Sequence, residues 1–418
     1  VTLPDRSALS RRDYLRALVA VGGATALSAC TSESDEVEVP TGTDDPESLP
    51  ERQHAWNEAL SRDDDGNVSP PEHHVLVALS LASEPTDEIR ERVEDALQTL
   101  ERAYEWSNEG LLFTLGYTPA YFDRFDGELP ESVDLPEPTA IVGEVDEFDE
   151  FDALLHLASD HSQVVLEAEE GLFGEHDELN GLAVETDLTG VFERVDERRR
   201  TGFVGEGLPA ERADLGGVPD SVPDDAPFFM GFRSGFDESQ ATEDRVTIDD
   251  GPFVDGTTEH VSSMRIQLSQ WFDQESHEMR VAKTFSPEHA DDELVGEVGE
   301  KLSTSTALTT ERIEATEDDA RSGVVGHAQK AARAREDGEP LLLRRDFNTV
   351  DGDDPGLHFL SLQAEIDAFV RVRETMEGDD LGLPSLNNGI TGYIFPDRRG
   401  NFLVPPRSLR ALPPPDPG

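Results

Sequence analysis

The chain has 418 residues, 36% of them hydrophobic, enough for one large core or two ordinary ones, and 91 acidic against 34 basic side chains give a net charge of -57. Acid spread through every segment is the pattern of a surface kept hydrated in concentrated salt, as in proteins of extreme halophiles, and it argues against nucleic acid as a partner because it repels phosphate. A single cysteine, Cys30, excludes an internal disulfide.

The first 30 residues read as an address. Ser10-Arg-Arg-Asp-Tyr-Leu-Arg16 matches the twin-arginine export pattern, and the apolar Ala17 to Leu27 that follows is too short and too rich in Ala and Gly for a membrane span. Leu27-Ser-Ala-Cys30 is a lipobox-like tetrapeptide, so Cys30 is expected to carry a lipid that anchors the chain to the outer face of the cell membrane after passage through the twin-arginine machinery. Residues 31–50 are acidic, rich in Ser, Thr and Pro, and lack apolar period, which predicts a disordered tether.

Residues 51–200 alternate strand and helix signals. Strands are expected over 73–81, 110–117, 151–158 and 181–188, with helices over 84–103 and 161–173, an order of strand, helix, strand, strand, helix, strand. That is the ferredoxin-like unit. Residues 201–257 form a Gly/Pro/Asp-rich connector, expected to lie as a long loop over a pocket. From 258 to 418 the order repeats more loosely: a strand over 260–272, helices over 274–285 and 308–321, a hairpin over 340–363, a helix over 366–376 and a last strand over 390–395. Two such units side by side predict an α+β sandwich or barrel, whose space between sheet and helices suits a large flat ligand.

One stretch of the second unit concentrates the chemistry. Gly326-His-Ala-Gln-Lys-Ala-Ala332 is a short polar helix with a lone histidine; a break at Asp337-Gly338 leads to Pro340-Leu-Leu-Leu-Arg-Arg345, and a turn leads to Gly356-Leu-His-Phe-Leu-Ser-Leu-Gln363. A hairpin that returns over the helix lets His327 and Arg344 face each other across a flat ligand. By itself a lone histidine is more often a satisfied polar residue than a metal ligand.

Read with its flanks, this stretch resembles the C-terminal half of the dye-decolorising (DyP-type) haem peroxidases. Other pieces follow in that family's order: Gln53-His-Ala55, Pro70-Pro71, Thr114 to Phe122, Phe151-Asp-Ala-Leu-Leu-His156 and Met230-Gly-Phe-Arg-Ser-Gly235. The resemblance spans roughly residues 50 to 407 and implies a dimeric α+β barrel built from ferredoxin-like units. It also implies one haem b per chain, hydrogen peroxide as substrate, and an electron donor that the sequence leaves unknown.

The resemblance assigns roles residue by residue. His327 is the implied iron ligand, its second ring nitrogen donating to a carboxylate for which Asp379 and Asp380 are the nearest guesses; His289 and His358 are the alternatives. Arg344 matches the arginine on the opposite side of the haem, with Arg345 as fallback. Gly231, Phe232, Arg233 and Gly235, with Phe359, would shape the haem pocket. The departure is Ser234, which stands where the family has the aspartate that moves the peroxide proton, and serine is no base at neutral pH without a partner of its own. Asp237, three residues on, is the substitute the sequence suggests, acting through a water. Trp271, Tyr393 and Phe359 are read as packing, with electron relay as the lesser reading. No zinc spacing, phosphate-binding glycine loop, nucleophile elbow or copper cluster is present. An exported haem peroxidase is therefore expected; the alternatives are a catalytically impaired haem carrier or sensor on the same fold, and a solute-binding lipoprotein built on parallel βα units.

Overall fold

Along β1 (His73–Leu81) the side chains alternate between two environments. Val75, Val77 and Leu79 pack outward with the buried faces of α1 (Asp87–Ala103) and, after β2 (Leu112–Tyr117) and β3 (Ala153–Ser159), of α2 (Ser162–Leu172), whereas Leu76 and Ala78 point to the other side of the sheet. α1 begins where Thr86 Oγ1 accepts from the Ile89 N–H and carries Asp87 and Glu88 in its first turn, both favourable at the positive end of a helix. Its stripe of Val93, Leu97 and Leu100 is fully buried, each such side chain contributing about 1.5–3 kcal/mol. β4 (Arg200–Phe203) completes the first unit.

The second unit repeats the plan with β5 (Thr257–Ile266), α3 (Leu268–Gln274), α4 (His277–Thr284), α5 (His327–Ala332), β6 (Leu343–Arg344), β7 (Phe347–Thr349), β8 (Gly356–Gln363), α6 (Ile366–Glu377) and β9 (Ile394–Val404). This computed structural model describes residues 38–139, 147–213, 217–352, 354–382 and 388–417; the expected export segment and Cys30 lie outside them.

The strand order is β4–β1–β3–β2 in the first unit and β9–β5–β8–β7 in the second, with β6 beside β7 along β8. The two sheets meet at single residue pairs, Leu403 with Tyr117 and Asn348 with Phe203, so the strands close into an antiparallel barrel. The fold is thus the α+β, ferredoxin-like barrel the sequence suggested, with helices outside. The barrel interior is filled: His74 stacks on Phe347 (ring centroids 4.5 Å apart) and its Nδ1 meets His156 Nε2 at 2.9 Å, with Leu76, Val261, Leu360 and Phe402 around them. A large ligand therefore has to sit outside the barrel wall.

Four expectations are corrected. The fourth strand of the first unit is Arg200–Phe203, not 181–188, where only Leu182–Ala183 is extended; β4 has almost no apolar signal but finds its hydrogen bonds on β1. The strand from 260 ends at Ile266, because Leu268, Trp271 and Phe272 recur at helical spacing and are buried together on α3. The last strand runs over 394–404 rather than 390–395. Within the expected tether, residues 38–50 lie against α1: the Thr43 N–H donates to Glu101 O at 3.0 Å and Pro46 is buried.

The chain after β9 returns to the first unit. Arg410 is fully buried, donating to Glu94 Oε2 and to Glu101 Oε2, each at 3.0 Å, while the Tyr117 hydroxyl donates to its carbonyl at 2.6 Å and Arg407 also reaches Glu101. Removing a buried partner strands the opposite charge. Arg410→Met should lower unfolding stability by about 3 kcal/mol, the low end of that range because Arg407 stays on Glu101; urea melts at fixed salt measure it.

Candidate functional site between the second unit and its helices

The position of His327 is set by the residue before it. A Cβ on Gly326 would lie 1.8 Å from the Phe285 carbonyl oxygen, so only glycine lets α5 start in contact with that backbone. The Gln329 side chain accepts from the Gly326 N–H at 3.3 Å and donates to Arg312 O and Asp319 Oδ2, both at 2.7 Å. Lys330 donates to the carbonyl oxygens of Met376 and Asn388, the latter at 3.2 Å. Both ends of this short helix are thereby tied down.

His327 lines an apolar slot formed by Met264 and Ile266 of β5, Leu357 and Phe359 of β8, Phe369, Arg373 and Met376 of α6, and the connector from Phe228 to Phe236. Its Nδ1 is buried with no hydrogen-bond partner among the described residues. Burial, helped by the cationic Lys330, Arg344 and Arg373, lowers its pKa to about 3, so the imidazole is neutral at any ordinary pH. A neutral ring with an unspent nitrogen at the edge of a cavity is the form in which histidine binds a metal.

Arg344 lines the same slot, and it also lines a second, outer cleft of about 330 Å³ that His327 does not reach. The guanidinium therefore stands at the boundary between the two. Its backbone is clamped by Gln240, whose Oε1 accepts from the Arg344 N–H at 3.1 Å and whose Nε2 donates to Arg344 O at 2.9 Å. Arg345 turns the other way, into the barrel, where its guanidinium lies over Trp56 at 4.2 Å and donates to His54 O at 2.7 Å. The strand register thus selects Arg344 and leaves the fallback without a role in the slot.

The connector does lie over the pocket. Phe232, Arg233, Ser234 and Gly235 line the slot; the last three also line the outer cleft. Gly231 (φ 91°) and Gly235 (φ 77°) take the left-handed turns that present them, Gly231 behind the lining rather than in it. Arg233 is held toward Asp63 (3.8 Å) and Glu206 (3.5 Å). Asp237 is not brought in: it is exposed, faces Arg62 at 3.9 Å and lines neither cavity.

The histidine alternatives fall away. His289 spends both nitrogens, on Ser286 Oγ (2.7 Å) and Thr306 O (2.8 Å), and His358 faces the barrel interior beside Asp351 at 3.5 Å while its neighbours Leu357 and Phe359 face the slot. The expected carboxylate behind His327 is absent among the described residues; Asp380 instead pairs with Arg333 and, with Asp379, lines a separate surface cleft. Trp271 and Tyr393 are packed edge to face at 4.9 Å, with the indole N–H donating to Met230 O at 2.9 Å.

Sequence reasoning missed Asp346. It lines both cavities beside Arg344, with Oδ2 at 3.7 Å from Arg344 Nη1 and Oδ1 accepting from the Leu360 N–H at 3.2 Å. Its spacing from Arg344, two residues along extended backbone, was the available signal.

The slot's donor set and apolar walls fit an iron porphyrin in kind: an orphaned neutral imidazole, a guanidinium facing the same space, and aromatic and aliphatic walls. Its volume, about 190 Å³, is below that of ordinary ligand pockets, so a macrocycle would have to spread the walls on entry.

Comparison with known proteins agrees on the fold. Residues 71–406 match DUF7405, a family of unknown function. No curated protein matches the sequence. Among solved structures, the chain is similar to ferric DtpA from Streptomyces lividans at 16% identity, TM-score 0.57, covering 88% of this chain and 94% of that one. It is also similar to a DyP-type peroxidase from Cellulomonas bogoriensis at 20% identity, TM-score 0.53, covering 83% and 93%. A DypB variant from Rhodococcus jostii in complex with heme matches at 14% identity, TM-score 0.53, covering 82% and 96%.

Proposed function

The chain belongs to DUF7405, and for this member of a family of unknown function we propose haem-dependent reduction of hydrogen peroxide, with oxidation of a separate electron donor. The observation that carries the reading is the slot that has the neutral His327 imidazole and the Arg344 guanidinium on its walls. His327 would hold the iron of a haem, and Phe359, Phe232 and Met264 would cover its faces. A bound haem would supply the redox chemistry. The chain's own contribution is to exclude water with the aromatic wall, to admit peroxide through the outer cleft, and to fix a positive charge where the peroxide becomes anionic. Arg344 suits that task because Gln240 fixes its backbone at the slot wall and Asp346 stands 3.7 Å from its guanidinium.

One observation favours the impaired haem carrier or sensor as second reading: among the described residues no carboxylate accepts from His327 Nδ1, and the charges that act on the ring are cationic, so the ligand lacks the partner that makes it electron-rich. The antiparallel pairing throughout the barrel leaves the solute-binding reading without its parallel βα units. With the export signal and lipid anchor read from residues 10–30, the proposal places the reaction outside the cell membrane.

Titration of purified protein with haemin in molar salt is the test. A saturable Soret band at one haem per chain, followed by peroxide-dependent dye oxidation, is the expected result. Saturable binding without turnover selects the carrier; no saturable binding removes both readings.

A further inference from the structure

We propose that Asp346 is the proton acceptor for hydrogen peroxide in this chain, taking the place of the carboxylate that Ser234 lacks. The inference rests on the peroxidase reading above and adds to it a residue that the sequence motif does not reach. Ser234 lines both cavities but offers no carboxylate, and the expected substitute Asp237 faces Arg62 outside them. Among the carboxylates that line the outer cleft, Asp346 alone also lines the inner slot, beside Arg344, which lines both. Peroxide that reaches Arg344 through the cleft therefore meets Asp346 on the same stretch of backbone.

The groups around it set what it can do. Arg344 stands 3.7 Å away at the end of β6; Arg233 lies in the shared wall, already engaged with Asp63 and Glu206; His327 and Arg373 line the slot from the helices, the latter paired with Glu377. Burial raises the Asp346 carboxyl to about 6, against the opposing pull of Arg344 and the Leu360 N–H. The sign follows: the group keeps its proton below about pH 6 and becomes an acceptor above it, close to the pH at which a general base works best. The step is a proton transfer alone. One O–H bond of hydrogen peroxide breaks, one O–H bond forms on the Asp346 carboxylate, and the hydroperoxide anion is left beside the Arg344 guanidinium.

Cyanide is the probe, since hydrogen cyanide must also surrender a proton to a nearby base as it binds ferric haem. In the haemin-loaded protein its association rate should rise through about pH 6 and then level. Asp346→Asn keeps an oxygen for the Leu360 N–H, so the ferric Soret band should persist while the rate falls about 100-fold above pH 7 and loses its pH dependence. Adding Ser234→Asp to that variant should restore most of the rate. An Asp346→Asn protein with normal cyanide kinetics overturns the proposal while leaving haem binding intact. Failure of the parent protein to bind haemin is a different result and overturns the peroxidase reading itself.

Discussion

His327→Ala should abolish the Soret band that haemin produces in the parent protein, weakening haem binding by more than the roughly 100-fold that loss of a mere outer partner of a metal ligand costs. His289 has both nitrogens bonded, His358 faces the barrel interior, and His260 is held by Asn401 and Ser262 at 2.7 Å each while stacked on Phe369. His289 and His260 cannot turn into the slot without breaking buried hydrogen bonds, and His358 points to the opposite face of β8 from the slot-lining Leu357 and Phe359. Because the deleted ring leaves a hole lined by Phe285 and Ala328, millimolar imidazole should refill it and bring the band back. An unaltered spectrum in the alanine variant would mean that the iron is held elsewhere.

Arg344→Leu should leave the spectrum in place and cut peroxide turnover by about 10²–10³-fold, the usual effect of removing one preorganised donor to a developing anion. Lysine at 344 should recover only a minor part, because a flexible ammonium does not reproduce the planar fork of a guanidinium. Stopped-flow absorbance after mixing with peroxide separates the two effects: haem retention is read before mixing and the rate after it. A leucine variant as fast as the parent would move the anion site away from β6.

Both outcomes depend on features that the sequence displayed unevenly. The His327 helix and the Arg344 strand were legible because each is framed by an abrupt change in pattern, a glycine before the helix and three leucines before the arginine. Register between Arg344 and Arg345 was not, since both follow the same apolar run; the choice is made by Trp56 and His54, which draw Arg345 into the barrel from nearly 300 residues away in sequence. β4 was invisible for a related reason. Arg200-Thr-Gly-Phe203 carries no alternation of its own and is extended only because β1 offers it partners on one side and Asn348 on the other. Asp346 was overlooked because the family motif directs attention to the connector, whereas a carboxylate in the short link between β6 and β7 becomes meaningful only once it and Arg344 are seen to line one wall. In a chain with 91 acidic residues, composition gives no sign of which carboxylates fold into the interior.

The strap from Arg407 to Leu412 has a consequence for biosynthesis. The carboxylates of Glu94 and Glu101 emerge from the ribosome some 300 residues before the guanidinium of Arg410 that neutralises them. α1 of the first unit therefore gains its buried counter-charge only after the whole second unit has been synthesised, which couples the completion of one half to the presence of the other.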